Sequence, residues 1–288
     1  MTGKQRLLLA FLCGATLMGG AAWADAPRPG AGVEAAESAA VDALMDAARL
    51  GPLMAVVATE GARHGAGLEA ALFPGRGGRA WSRAVARIQS PERLSRMLAG
   101  VLATELDAAE MREAAGFYAS PLGAKVARAE VDSRRAMLDG AVEAEALNVA
   151  DAAPKDDPRS ALVAQLIDGL DLVGANVSGG LNANYAFYRG LGDGGAMTRR
   201  LSESELLAMV WQQEGEVRET TSRWLDAYLT LAYGALSEEE LRSYVDWAAS
   251  AVGRRTNAAL FAGFGAVFER TSYELGLAAA GFIVSEDA

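Results

Sequence analysis

Leu106-Asp107-Ala108-Ala109-Glu110-Met111 and, 130 positions further on, Leu236-Ser237-Glu238-Glu239-Glu240-Leu241 spell the same local instruction twice. An aspartate or serine oxygen accepts the backbone N–H three residues ahead. The glutamate at that position reaches back to the capping residue's own N–H, and the flanking apolar side chains pack across the helix start. Each is a capping box with a hydrophobic staple, and Leu201-Ser202-Glu203-Ser204-Glu205-Leu206 is a third. Ser90-Pro91 and Asp157-Pro158 place a capping side chain before a proline at the first helical position. Five legible helix starts point to an all-α protein.

Outward from these starts, apolar residues recur at helical spacing. Leu94, Leu98 and Val101 fall at i, i+4, i+7, as do Trp224, Tyr228 and Leu231, while Phe261, Phe264 and Phe268 fall at i, i+3, i+7. Alternation of β-branched residues is nearly absent, and such stripes usually face a core. Breaks are expected at the loop Pro74-Gly75-Arg76-Gly77-Gly78, at a linker over residues 150–158 containing Pro154, and at a glycine-rich loop over residues 190–195. Neither glycine loop follows a strand, so neither has the setting of a phosphate cradle.

The shift of 130 brings residues 90–125 over residues 220–255 without a gap. It pairs Arg93 with Arg223, Leu106 with Leu236, Glu110 with Glu240, Arg112 with Arg242, Ala119 with Ala249, Ser120 with Ser250 and Gly123 with Gly253. Upstream, Leu44-Met45-Asp46 falls over Leu166-Ile167-Asp168 at a shift of 122. Chance agreement in an alanine-rich chain competes with duplication; caps and stripes that stay in register favour duplication. The expected architecture is two related multi-helix lobes packed as one or two helical domains. Copy 1 spans residues 33–149, the linker 150–158, copy 2 159–275, and a C-terminal tail 276–288.

Lys4 and Arg6, an apolar run over residues 7–18 and Ala22-Trp23-Ala24 before Asp25 compose a secretory signal over residues 1–24. The run is too short and too glycine-broken for a membrane anchor. The single cysteine, Cys13, lies inside it without the small preceding residue of a lipoprotein signal, so the mature chain carries no thiol. Removing 24 of 288 residues leaves 264, enough to build a packed core without disulfides. Loss of Lys4 and Arg6 takes the net charge from −10 to about −12, which repels phosphate backbones and argues against nucleic acid as a partner. No later segment reaches membrane-spanning length, and the expected location is the periplasm.

Leu106-Asp107-Ala108-Ala109-Glu110-Met111 followed by Phe117-Tyr118-Ala119-Ser120-Pro121-Leu122-Gly123-Ala124-Lys125 resembles the signature of the domain of unknown function 2059 family. The resemblance implies an exported, helical bacterial protein and brings no chemistry with it. In the second copy Trp247-Ala248 replaces the Phe-Tyr pair and Ala251 replaces the proline. The motif also has a purely structural reading, because proline forces Ser120 out of the helix to cap the next one, leaving Phe117 and Tyr118 to fill the corner. Phe117, Tyr118 and Trp247 are nonetheless the candidate binding residues.

Catalytic constellations are scarce. His64, the only histidine, is flanked by Gly61, Gly65 and Gly67 and reads as an exposed loop residue. A lone histidine with no mature cysteine offers no ordinary zinc site, no calcium loop or G-x-S-x-G elbow is present, and no cofactor is implied. The pairs Asp168 with Asp171 and Glu214 with Glu216 are the remaining acids for acid–base chemistry, and Asn176-Val177-Ser178 matches a glycosylation sequon that a bacterial setting leaves unused. The expected function is a non-catalytic binding or protein-interaction module, with an envelope protein or a small apolar ligand as partner. Trp211, Trp224, Tyr228, Tyr233, Tyr244 and Trp247 are expected to leave an exposed aromatic patch. The alternatives are an apolar-ligand carrier with the helix around Phe261 and Phe268 lining a cavity, and a carboxylate-dependent hydrolase of envelope polymers.

Overall fold

The structure is a computed structural model that describes residues 31–284 apart from 155, 198 and 200; the signal segment and Cys13 lie outside the described residues. Helices occupy almost all of it, and there is no strand among the described residues. The first seven are α1 (Ala31–Ala47), α2 (Leu50–Leu72), α3 (Gly78–Ile88), α4 (Pro91–Glu105), α5 (Ala108–Ala119), α6 (Pro121–Ala136) and α7 (Gly140–Ala152). They are followed by α8 (Pro158–Gly169), α9 (Leu172–Asp193), α10 (Glu203–Trp211), α11 (Glu214–Tyr233), α12 (Glu238–Ala248) and α13 (Ala251–Val284).

All five helix starts form. Asp107, Ser202 and Ser237 each complete a capping box with Glu110, Glu205 and Glu240. Ser90 and Asp157 accept the N–H groups of Arg93 and Ser160. Ser120 caps α6 through the Gly123 N–H, and Ser250 does the same for Gly253 at the start of α13. A Cβ on Gly123 would lie 2.0 Å from the Phe117 carbonyl oxygen, and one on Gly253 2.2 Å from that of Trp247, so both corners turn too tightly for a side chain.

Two further corners are left-handed at non-glycine residues: Arg49 (φ 55) between α1 and α2, and Asp171 (φ 48) between α8 and α9. They are 122 positions apart, the upstream shift of the sequence pairing. At the sequence shifts of 122 and 130, α8 to α13 fall over α1 to α6 in chain order, with α13 running unbroken where α6, a turn at Met137, Leu138 and Asp139, and α7 stand earlier in the chain.

The two halves are not independent lobes. Ala259, Phe264, Val267 and Phe268 of α13 enter the core built by α1, α2, α4 and α5. Val126 of α6, Met137 and Ala146 and Ala150 of α7 enter the core built by α8, α11 and α12. Each half lends its last helices to the other.

Several sequence readings are corrected. Residues 190–195 are not simply a loop, because α9 runs to Asp193. A Cβ on Gly190 would lie 2.2 Å from the Tyr273 carbonyl oxygen, and one on Gly276 2.1 Å from that of Phe187, so these glycines let α9 and α13 touch backbone to backbone. Residues 276–288 are not a free tail up to residue 284: α13 continues to Val284, and Leu275, Ala279 and Ala280 pack with Phe73, Trp81 and Val85 in a third cluster. The linker shrinks to the residues between Ala152 and Pro158. His64 lies within α2 rather than in a loop; Gly61 and Gly65 beside it are packed against Gln89 and Val85. Burial lowers the His64 pKa to about 4.

Among the described residues no single helix is long and apolar enough to cross a membrane; α8 and α9 pass such a test only as a pair bent by 52°, and α9 is largely buried.

Candidate functional site

On α6 the core-facing stripe runs Val126, Ala127, Glu130, Val131 and Arg134, which sets two ionisable residues at positions where a helix normally carries leucine. Arg134 is 4% exposed and is held by Glu60 of α2 in a two-pronged pair, Nε to Oε1 at 2.9 Å and Nη2 to Oε2 at 2.8 Å. Its charge is balanced across the α2–α6 contact, the arrangement that makes a buried ion tolerable.

No cation pairs with Glu130 among the described residues. Its Oε1 accepts the Tyr233 hydroxyl at 2.7 Å and the Tyr244 hydroxyl at 3.1 Å, and its backbone carbonyl accepts the Tyr228 hydroxyl at 3.0 Å. Burial pushes the Glu130 carboxyl above its ordinary pKa, against the weaker pull of the two tyrosine hydrogen bonds. The same burial, with Glu130 beside them, raises Tyr118, Tyr233 and Tyr244. Glu130 keeps partial accessibility because a cavity of about 140 Å³ reaches it.

Matched positions of the two halves line that cavity. Ala48 and Leu50 come from the first left-handed corner, Leu170 and Leu172 from the second. Glu130, Val131 and Arg134 of α6 and Leu260, Phe261 and Phe264 of α13, 130 positions on, both line it. Where one half has Glu130, Arg134, Tyr228 and Tyr244, the other has Leu260, Phe264, Leu98 and Ala114, of which the last three are buried core. One wall is polar and its counterpart is apolar, so the geometry of the fold does not demand the polar groups.

Two polar side chains at the cavity have no hydrogen bond among the described residues. Tyr118 is 6% exposed, and neither its hydroxyl nor the Asn257 amide has a hydrogen-bonding partner. A cavity edged by hydroxyl and amide groups without protein partners offers hydrogen bonds to a molecule that enters it.

The three residues singled out from sequence do meet. Phe117 and Trp247 stack with centroids 3.7 Å apart, and the Tyr118 ring stands edge-on to both. Phe117 and Trp247 are half-buried and fill the seam between the halves; of the three only Tyr118 lines the cavity. The seam is flanked by two mirrored ion pairs, Lys125 with Glu240 at 2.6 Å and Arg255 with Glu110 at 3.1 Å, each glutamate also completing its capping box.

The expected exposed aromatic patch is absent. Tyr228, Tyr233 and Tyr244 are buried, Trp224 and Trp247 half-buried, and Trp211 alone is open, at 56%. Asp168, Asp171 and Glu216 are exposed and Glu214 is tied to Arg218, so neither acid pair forms a site. Asn176 of the sequon is 1% exposed and donates to the Leu172 carbonyl. No group of three potential metal ligands converges among the described residues.

Residues 92–151 match the profile of a family described as an uncharacterized protein conserved in bacteria (DUF2059). The match covers α4 to α7, and with them Tyr118, Glu130 and Arg134, but none of the second half. No curated protein and no solved structure matches the chain.

Proposed function

We propose that this protein is an exported, non-catalytic binding protein, built by internal duplication, whose central cavity holds a small, largely apolar molecule. The observation that carries the reading is the cavity wall: Glu130 is held by Tyr233 and Tyr244, and Tyr118 and Asn257 are unpartnered among the described residues, where the residues paired with Tyr118, Tyr244 and Asn257 in the other half, Ala248, Ala114 and Ala127, are buried apolar core. A cavity of about 140 Å³ has the size that takes a benzene-sized molecule. That is too small for a long-chain lipid, so a compact ligand replaces the broader apolar cargo expected from sequence.

The duplication is supported by the matched order of α1–α6 and α8–α13, the two left-handed corners, the paired serine caps and the mirrored ion pairs. Export is supported by the sequence of residues 1–24. A hydrolase of the paired-acid kind needs a second acid in the cleft, and among the described residues Glu130 is the single carboxyl lining the cavity, with Glu60 engaged by Arg134.

Mass spectrometry of the protein recovered from the periplasm of a Gram-negative host tests export: a chain beginning at Asp25 is expected, and an intact residue 1 in the cytosolic fraction refutes it. For the cavity, methyl NMR during titration with cyclohexanol is expected to shift Leu50, Leu172, Val131 and Leu260. Val131→Phe, which fills the space, should abolish those shifts. Shifts that persist in the filled variant place the ligand elsewhere.

A further inference from the structure

The cavity's polar groups also specify the kind of molecule. We propose that it takes a small organic monocation, an alkylammonium of about the size of choline, with Glu130 as its counter-ion; this rests on the cavity being a binding site. The inventory runs one way. Among the described residues Glu130 is the only carboxyl on the wall, and both tyrosine hydrogen bonds fall on Oε1, leaving Oε2 without a partner. The one cation on the wall, Arg134, is already matched by Glu60. A carboxylate or phosphate would find no free positive partner and would face Glu130, so anions are disfavoured. The same wall carries the aromatic residues Tyr118, Tyr228, Tyr233, Tyr244, Phe261 and Phe264, of which Tyr233 and Tyr244 bond the acid directly. Aromatic rings grouped with a carboxylate are the recognition chemistry of ammonium groups, and desolvated cation–π contacts are among the stronger ones. The unpartnered Tyr118 hydroxyl and Asn257 amide are left for a hydroxyl on the ligand's far end.

Burial favours the protonated acid when the cavity is empty. A bound ammonium reverses that balance: Glu130 loses its proton to solvent, the carboxylate and the cation form a neutral pair, and no other bond changes. Binding therefore releases up to one proton and tightens as pH rises towards the pKa of Glu130 in the empty protein.

Isothermal titration of the full-length mature protein with choline and with its neutral isostere 3,3-dimethyl-1-butanol tests this, at several pH values between 5.5 and 8 and in two buffers of different ionisation enthalpy. Choline is expected to bind at least about tenfold more tightly than the alcohol at pH 8, with buffer-dependent heat that reports proton release at the lower pH values. Glu130→Gln is expected to lose the preference for choline and keep the alcohol. Tyr118→Phe, which removes one hydroxyl from an otherwise unchanged wall, should weaken both probes by about three- to tenfold. Should the alcohol bind as well as choline, or alone, the monocation assignment falls and the cavity reading stands. Should neither probe bind at any pH, both fall. Choline affinity unchanged in Glu130→Gln also overturns the assignment of Glu130 as counter-ion.

Discussion

Glu130→Gln should make the protein more stable at neutral pH, and the gain should grow with pH. The variant keeps an amide oxygen to accept from Tyr233 and Tyr244, so at about pH 4, where the carboxyl is protonated both folded and unfolded, the two proteins should agree within about 1 kcal/mol. Above that, the unfolded chain releases the Glu130 proton at an ordinary carboxyl pKa while the folded protein retains it, because burial raises the folded value. The native state then holds more protons than the unfolded state, so wild-type stability falls as pH rises, by about 1.4 kcal/mol per pH unit, until the folded pKa is reached. Glutamine has no such dependence. Glu205, drawn down to about 2 by the Ser202 N–H and by Arg199, titrates alike in both proteins and cancels in the difference. Urea unfolding followed by tryptophan fluorescence at pH 4, 5, 6, 7 and 8, at constant ionic strength, measures the gap. A gap constant across that range, or one widening towards acid, refutes the assignment of a buried, cation-free carboxyl.

The other titration runs the opposite way: with its folded pKa lowered to about 4, His64 stabilises the fold above about pH 6.5 and loses that contribution as pH falls, by up to about 3 kcal/mol. His64→Gln should flatten this acid limb in the same unfolding series. Gly276→Ala puts a Cβ 2.1 Å from the Phe187 carbonyl oxygen and should cost at least about 2 kcal/mol, read as a lowered Tm, whereas Gly281→Ala, with open space around it, should cost little. Ser237→Ala removes a capping hydroxyl and should cost about 1 kcal/mol in urea unfolding. Trp247→Ala strips the stack on Phe117 and should cost about 3 kcal/mol by the same measurement.

Local instructions were legible and distant ones were not. The capping boxes at Asp107, Ser202 and Ser237 involve partners three residues apart, so a short window of sequence contains the whole interaction. Gly190 and Gly276 serve a contact between α9 and α13, and a glycine read without its distant neighbour looks like a loop. The glycines around His64 misled for the same reason, their partners Gln89 and Val85 lying on the next helix and its end. Tyr118 was found because it belongs to a recognisable motif, although the motif pointed to a corner and the corner turned out to border a cavity. Glu130 was missed. Its signal was present as a charged residue between Val126 and Val131 on an apolar stripe, repeated by Arg134 one turn later, where the paired stretch has Leu260 and Phe264. That comparison needs the pairing to extend past residue 125, and it is the unbroken helix α13 that licenses the extension.

The exchange of last helices between the halves governs how the chain acquires its structure. α4 waits for α13, more than a hundred residues downstream, before its buried face is covered, and much of the packing of α11 is onto α6 and α7, made much earlier. Contacts of such sequence separation slow folding because the loop must close before it is rewarded. An emerging first half therefore has no complete interior of its own, and a chain cut short before α13 leaves both interiors open at once, so that loss of one terminal helix is felt as the unravelling of the whole molecule.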